Sequence, residues 1–286
     1  MNDYVLAAVL GVVEGITEFL PVSSTAHLRL TEQLLHIDLA APFWKMFSIV
    51  IQLGAVLCLP IYFHARITQL LATYPKGERG NRGLLTHPLG LVMVAFVVTA
   101  VPAFLLTKLI GKQLESLFVM GASLLIGGIV MWVVDATSTA RARVDRLEGM
   151  SLGQAIWIGA CQILSAVFPG TSRSMATIAA GQLSGMSRAA ALEFSFLVSL
   201  PTMAVATGYA LLKSLKGDES NPLGVSHIDP HGWAVLGIGF VISFIVAYLS
   251  VVALMAWVRR YGFVPFAIYR ILLGITVLVW LRRMVG

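Results

Sequence analysis

Residues Glu14–His27 read EGITEFLPVSSTAH and pack two carboxylates, four hydroxyls and an imidazole into a stretch that is otherwise apolar. Glu14 and Glu18 are four apart, so a helix places both on one face. Two carboxylates so placed suit a hard divalent cation, Mg²⁺ or Ca²⁺; polar contact between helices is the alternative. Pro21 has no N–H to donate and should stop or kink that helix. Ser23, Ser24 and Thr25 are natural N-caps for a second, short helix carrying His27. His27 lies three residues beyond Ser24, so Ser24 can act as a nucleophile with His27 as its base. The other schemes have His27 attack directly or activate water. Inside lipid so polar a stretch is costly unless it faces protein, water or an ion.

A second polar break, FPGTSRSMATIAAG, sets Arg173 just after Pro169 and Gly170. Arg173 at membrane depth needs an anionic partner. A phosphate held at a helix N-terminus by the guanidinium meets that need; a structural pairing with Glu14 or Glu18 is the alternative. The candidates are therefore Glu18, Ser24, His27 and Arg173 for catalysis and Glu14 with Glu18 for metal. Ser23, Thr25, Thr171, Ser172 and Ser174 stand beside Arg173 as substrate contacts. Glu193 reads equally as a helix-end charge or as site lining. Asp135, at the end of an apolar run, is expected to be a solvated terminus.

The elements that position these groups must be membrane helices. Of 286 residues, 58% are hydrophobic and 12% charged, with mean hydropathy +0.86; soluble domains carry roughly 45–50% and about 25%. The formal net charge of +6 fits basic loops at one membrane face, and nucleic acid is not an expected partner. Cys58 and Cys161 sit in apolar runs without metal-ligand spacing and read as packing residues. The opening MNDYVLAAVLG lacks a basic n-region and a small-residue cleavage site, which argues against a signal peptide. Six segments, about 40–63, 89–107, 117–134, 189–212, 233–257 and 263–281, are long enough to span. Regions 1–38 and 151–187 each consist of an apolar arm, a Pro-centred break and a shorter arm, the pattern of re-entrant hairpins.

The two regions also align. GVVEGITEFLPVSSTAH from Gly11 and GACQILSAVFPGTSRSM from Gly159 match at a constant offset of 148. That offset places Glu14 on Gln162, Pro21 on Pro169, Ser23 on Thr171, Ser24 on Ser172 and Thr25 on Arg173. FSIVIQLG from Phe47 meets FSFLVSLP from Phe194 at offset 147. The expected fold is an all-α polytopic membrane protein made of two repeats, 1–150 and 151–286, each a re-entrant helical hairpin plus three transmembrane helices. Three spans per half is an odd number, so the repeats have inverted topology. With both termini outside, the inside loops hold nine Lys and Arg, including Arg66, Arg79, Arg82, Arg143, Arg146 and Arg259, against six outside. Lys108 and Lys112 are among those six, and Arg29 and Lys45 would raise them to eight. The site then opens to the outer, periplasmic side.

EGITEFLPVSSTAH with the later PGTSRS resembles the undecaprenyl-diphosphate phosphatase family, also called the bacitracin-resistance protein family, over the whole chain. The resemblance places Glu14, Glu18, Ser24, Thr25 and His27 in its first motif and Ser172 and Arg173 in its second. Ala26 stands where members commonly have Gly, and Met175 where Gly commonly follows SRS; neither removes a chemical group. The resemblance implies hydrolysis of undecaprenyl diphosphate to undecaprenyl phosphate and inorganic phosphate in the bacterial plasma membrane. That reaction recycles the lipid carrier of peptidoglycan synthesis and confers bacitracin resistance. Expected partners are the polyprenyl diphosphate, the bilayer and a second copy of the chain as a homodimer. The other reading is a transporter or flippase of the polyprenyl phosphate, motivated by the repeat and the mid-membrane polar site; it needs no nucleophile. Intramembrane proteolysis is a distant third, since no HExxH occurs.

Overall fold

The computed structural model describes residues 2–38, 41–78, 80–106, 116–216 and 228–285. Apart from a bridge between Val144 and Met186, the regular structure of these residues is helical. The chain opens with a hairpin of α1 (Asp3–Thr17) and α2 (Ser24–Leu34). Then come α3 (Pro42–Val56), continued by the short α4 (Cys58–Tyr62), and α5 (His64–Thr73) in the basic loop. Two long apolar helices, α6 (Pro88–Leu105) and α7 (Leu117–Ser138), complete the first half. The second half repeats the order with a hairpin of α8 (Leu152–Val167) and α9 (Arg173–Leu183), then α10 (Arg188–Lys216), α11 (Pro230–Tyr261) and α12 (Val264–Val285).

Among the described residues, six helices are long and apolar enough to cross a membrane: α3 with α4, α6, α7, α10, α11 and α12. They coincide with the six segments expected from hydropathy. The hairpin helices, of 15, 11, 16 and 11 residues, fall short of the roughly 20 that a crossing needs.

The packing is crosswise. α1 lies against α11 and α8 against α6, so each hairpin rests on a span from the other half; α3 meets α10 and α7 meets α12 between the halves. Lipid tails are as apolar as leucine, so helices in a bilayer associate through close contact and interhelical hydrogen bonds. Gly11 and Gly15, four apart on α1, supply the close contact. A Cβ there would stand 2.9 Å from the Gly239 carbonyl and 2.7 Å from Val246 Cβ of α11. On the other side, Gly159 of α8 meets the α6 backbone at Ala95, and Thr99 Oγ1 donates to the Gly159 carbonyl at 2.8 Å. Phe19, Phe196 and Phe63 meet edge to face in the core between hairpin and spans. Large side chains such as Phe118, Leu249 and Leu272 point outward, as a lipid-facing surface requires.

Asp135 corrects the sequence reading. It is wholly buried, and its carboxylate accepts from Arg188 Nε at 2.7 Å and Nη2 at 2.8 Å, from Gln182 Nε2 at 2.9 Å and from the Phe263 backbone N–H at 3.0 Å. Four separate elements are tied at one carboxylate. Removing one partner of a buried pair leaves the other uncompensated, so Asp135→Ala should cost about 3–5 kcal/mol. Thermal melting in detergent checks this; a variant melting with the parent would show the junction to be dispensable.

The basic loops assigned to one side also come together. Arg66, Arg82, Arg143, Arg146 and Arg259 line a single cavity of about 770 Å³. Arg79, Lys108 and Lys112, counted in the same assignment, lie outside the described residues.

Candidate active site

Both hairpins reverse through a turn of the same design. α1 ends at Thr17, and Glu18 takes the C-cap position with its N–H still bonded to the Glu14 carbonyl at 2.9 Å. Pro21 cannot extend the ladder, and the chain enters α2 through Ser23 at φ 75°. In the second hairpin Ser172 occupies the same place at φ 67°. A non-glycine residue in the left-handed region carries strain of roughly 1–3 kcal/mol and persists only where its surroundings fix it. Ser172 Oγ accepts from the Met175 N–H at 3.3 Å, whereas the Ser23 side chain makes no capping bond, contrary to expectation.

This equivalence revises the alignment. Ser23 matches Ser172 and Ser24 matches Arg173, an offset of 149, because the second turn holds one more residue between its proline and its cap. Glu14 still corresponds to Gln162, and both are buried.

The turns meet at Glu18. Its Oε2 accepts from Ser24 Oγ at 2.6 Å, and its Oε1 accepts from Arg173 Nη2 at 2.9 Å. Ser24 and Arg173 are the first residues of α2 and α9, so one buried carboxylate bridges two helix N-termini. The structural pairing held open for Arg173 is thus present, through Glu18. It engages one guanidinium nitrogen, and among the described residues no other group bonds the remaining donors of that side chain.

Other predicted residues fall into distinct places. Ser174 Oγ donates to the Leu20 carbonyl at 3.1 Å, joining the turns, and shares a 3.0 Å bond with Ser172 Oγ. Thr171 offers its carbonyl rather than its hydroxyl to the junction. Ser23 is buried, while Thr25 is exposed and, with Ser24, lines a cavity of about 390 Å³ between α2 and α3. Glu193 is not among the groups around Ser24: it pairs with Arg66 at 2.8 Å, which also holds Glu148 at 2.8 Å, on the wall of the larger cavity.

His27 turns away from Ser24. Its Nδ1 lies 2.7 Å from the Ser23 carbonyl and its Nε2 lies 2.6 Å from the Tyr269 hydroxyl, with the two rings stacked. The carbonyl can only accept, so Nδ1 carries the proton and Nε2 accepts from Tyr269. The expected Ser24–His27 bond is not made: both His27 nitrogens are engaged elsewhere, and the serine hydroxyl donates to Glu18.

Arg270 went unremarked in the sequence reading. It is wholly buried on α12 and donates from Nη1 to the Pro21 carbonyl at 3.1 Å. Its Nη2 serves the carbonyls of Gly170 at 2.9 Å, Thr171 at 3.1 Å and Ser123 at 3.2 Å. One guanidinium thereby holds both turns. The signal was available: a lone charge inside FVPFAIYRILLG is too expensive to lack a purpose.

Glu14 is wholly buried, and neither carboxylate oxygen has a hydrogen-bond partner among the described residues. An orphaned carboxylate one helical turn from Glu18 fits the oxygen chemistry of Mg²⁺ or Ca²⁺. No group of three or more His, Cys, Asp and Glu residues placed to hold a metal occurs among the described residues.

Comparison with known proteins follows the same lines. The family model described as Bacitracin resistance protein BacA matches residues 7–276. An undecaprenyl-diphosphatase of Koribacter versatilis (strain Ellin345) is 67% identical over 282 residues, covering 98% of this chain and 99% of that protein. Proteins of the same name from Xanthomonas oryzae pv. oryzae (strain PXO99A) and Rhizobium etli (strain CIAT 652) are 38% and 42% identical, over 100% and 96% of this chain and of the relatives.

Proposed function

The chain belongs to the Bacitracin resistance protein BacA family, and from that premise we propose that it is an undecaprenyl-diphosphatase. It is a multi-pass membrane protein that hydrolyses undecaprenyl diphosphate to undecaprenyl phosphate and inorganic phosphate, returning the lipid carrier to peptidoglycan synthesis and conferring bacitracin resistance. The observation that carries the mechanism is the bridge Ser24–Glu18–Arg173 between two helix N-termini.

Phosphoryl transfer asks chiefly for positioning and charge neutralisation. Ser24 Oγ attacks the terminal phosphorus and its proton passes to Glu18 Oε2, already 2.6 Å away. The bond from phosphorus to the bridging oxygen breaks, and undecaprenyl phosphate leaves. Water then displaces the phosphoryl group as inorganic phosphate, and Glu18 returns its proton to the departing serine oxygen. The open donors of Arg173 hold the non-bridging oxygens throughout. His27 is a positioning residue, tying the Ser23 carbonyl to Tyr269. Glu14 and Glu18 would hold a divalent cation, which would offset phosphate charge beside them. The crosswise packing and the matched turns support inverted repeats, and the gathering of basic loops at one end supports a site opening to the periplasmic side of the inner membrane.

Phosphate release from a long-chain prenyl diphosphate by purified protein, with and without chelator, tests the activity. Rapid quench with phosphate-labelled substrate tests the attacking group. The expected result is an acid-stable phosphoprotein that disappears in Ser24→Ala. An acid-labile adduct lost in His27→Ala would transfer the role to His27, and no adduct at any time would assign it to water.

A further inference from the structure

The cavity of about 390 Å³ beside Ser24 is enclosed by one face of α2 and one face of α3. Ser24 lines it, so the hydroxyl that Glu18 holds borders an opening of small-ligand size. Two cations stand in its wall, Arg29 from α2 and Lys45 from α3. Lys45 is exposed and has no partner among the described residues. Arg29 reaches Glu32 only at 3.4 Å. Glu32 is itself 2% exposed and takes a shorter bond, 2.9 Å, from Ser48 Oγ. The one acid in this wall is therefore answered largely by a neutral hydroxyl, and both cations keep donors for an anion. Leu28, Trp44 and Ile49 add apolar surface to the lining, which suits a ligand whose charged head continues into a hydrocarbon chain.

We propose that this cavity seats the terminal phosphate of the lipid diphosphate, with Lys45 and Arg29 as its binding cations. The assignment rests on the reading of Ser24 as the attacking group. The phosphate enters between α2 and α3, the two cations meet its oxygens from that side, and its phosphorus lies against Ser24, where the open donors of Arg173 also reach it. Neither cation touches the proton path, so both act on affinity rather than on the chemical step.

The experiment measures steady-state phosphate release from a prenyl diphosphate in detergent, with inhibition by inorganic phosphate in parallel. Lys45→Gln and Arg29→Gln should each raise KM about tenfold, the scale of one lost charge-assisted hydrogen bond, with kcat within about twofold of the parent. Ile49→Trp, which narrows the cavity without touching a charge, should raise KM in the same way. Melting curves confirm that all three variants fold. Unchanged KM in the charge variants, with the parent active, overturns the cavity assignment and leaves the activity standing. A change confined to inhibition by free phosphate would also overturn it, making the cavity a product site. A parent that releases no phosphate from any prenyl diphosphate would instead sink the functional reading.

Discussion

Glu18→Gln should lower kcat by about 10²–10⁴-fold, the usual contribution of a positioned acid–base group, while the protein keeps its fold. Glutamine is close to glutamate in size, so its amide can still bond Ser24 or Arg173. It cannot take the serine proton, and it leaves the Arg173 guanidinium without its buried counter-charge. Glu18 is hydrogen-bonded to both Ser24 and Arg173, so one substitution disturbs nucleophile and clamp together. Phosphate release by purified protein reads the effect. A Gln variant turning over like the parent would remove Glu18 from the proton path, and His27 would again be a candidate base.

The second large effect is expected at Arg270. Arg270→Met keeps an unbranched stem but withdraws the donors from the Pro21, Gly170, Thr171 and Ser123 carbonyls. Unsatisfied buried acceptors cost roughly 1–3 kcal/mol each, and relief from burying a charge offsets part of that. The net loss should be about 3 kcal/mol, read as a lower melting temperature in detergent. Turnover should fall as well, since the Glu18–Arg173 contact depends on the two turns staying together. Lysine keeps the charge but lacks the fork that reaches several carbonyls at once, so Arg270→Lys should recover little. Parent-like melting and turnover in the Met variant would show that Arg270 does not hold the turns.

Most of this architecture was legible because lipid imposes a blunt length rule. The six spans follow from runs of apolar residues, and the two hairpins from arms too short to cross. Glu14, Glu18, Ser24 and Arg173 announced themselves because polar groups inside such arms are expensive. What stayed hidden depended on contacts distant in sequence. Asp135 looked like an ordinary charged helix end, since nothing near it indicates that Arg188, Gln182 and Phe263 converge there. Arg270 disappeared into a run judged by its average. The repeat slipped by one residue at the turns because Pro21 and Pro169 align well, although the caps that set each helix follow at different distances. His27 was assigned to Ser24 by spacing along one helix, and Tyr269 of α12, far along the chain, takes its other nitrogen instead.

The crosswise seating of the hairpins bears on the order in which the molecule can be made. α1 leaves the ribosome well before α11, the surface that Gly11 and Gly15 are shaped to meet. α8, by contrast, finds α6 already inserted. The first hairpin is therefore made well before the helix it packs against. The two turns can thus join only after α9 and α12 have followed α2, because Arg173 and Arg270 supply the contacts between them.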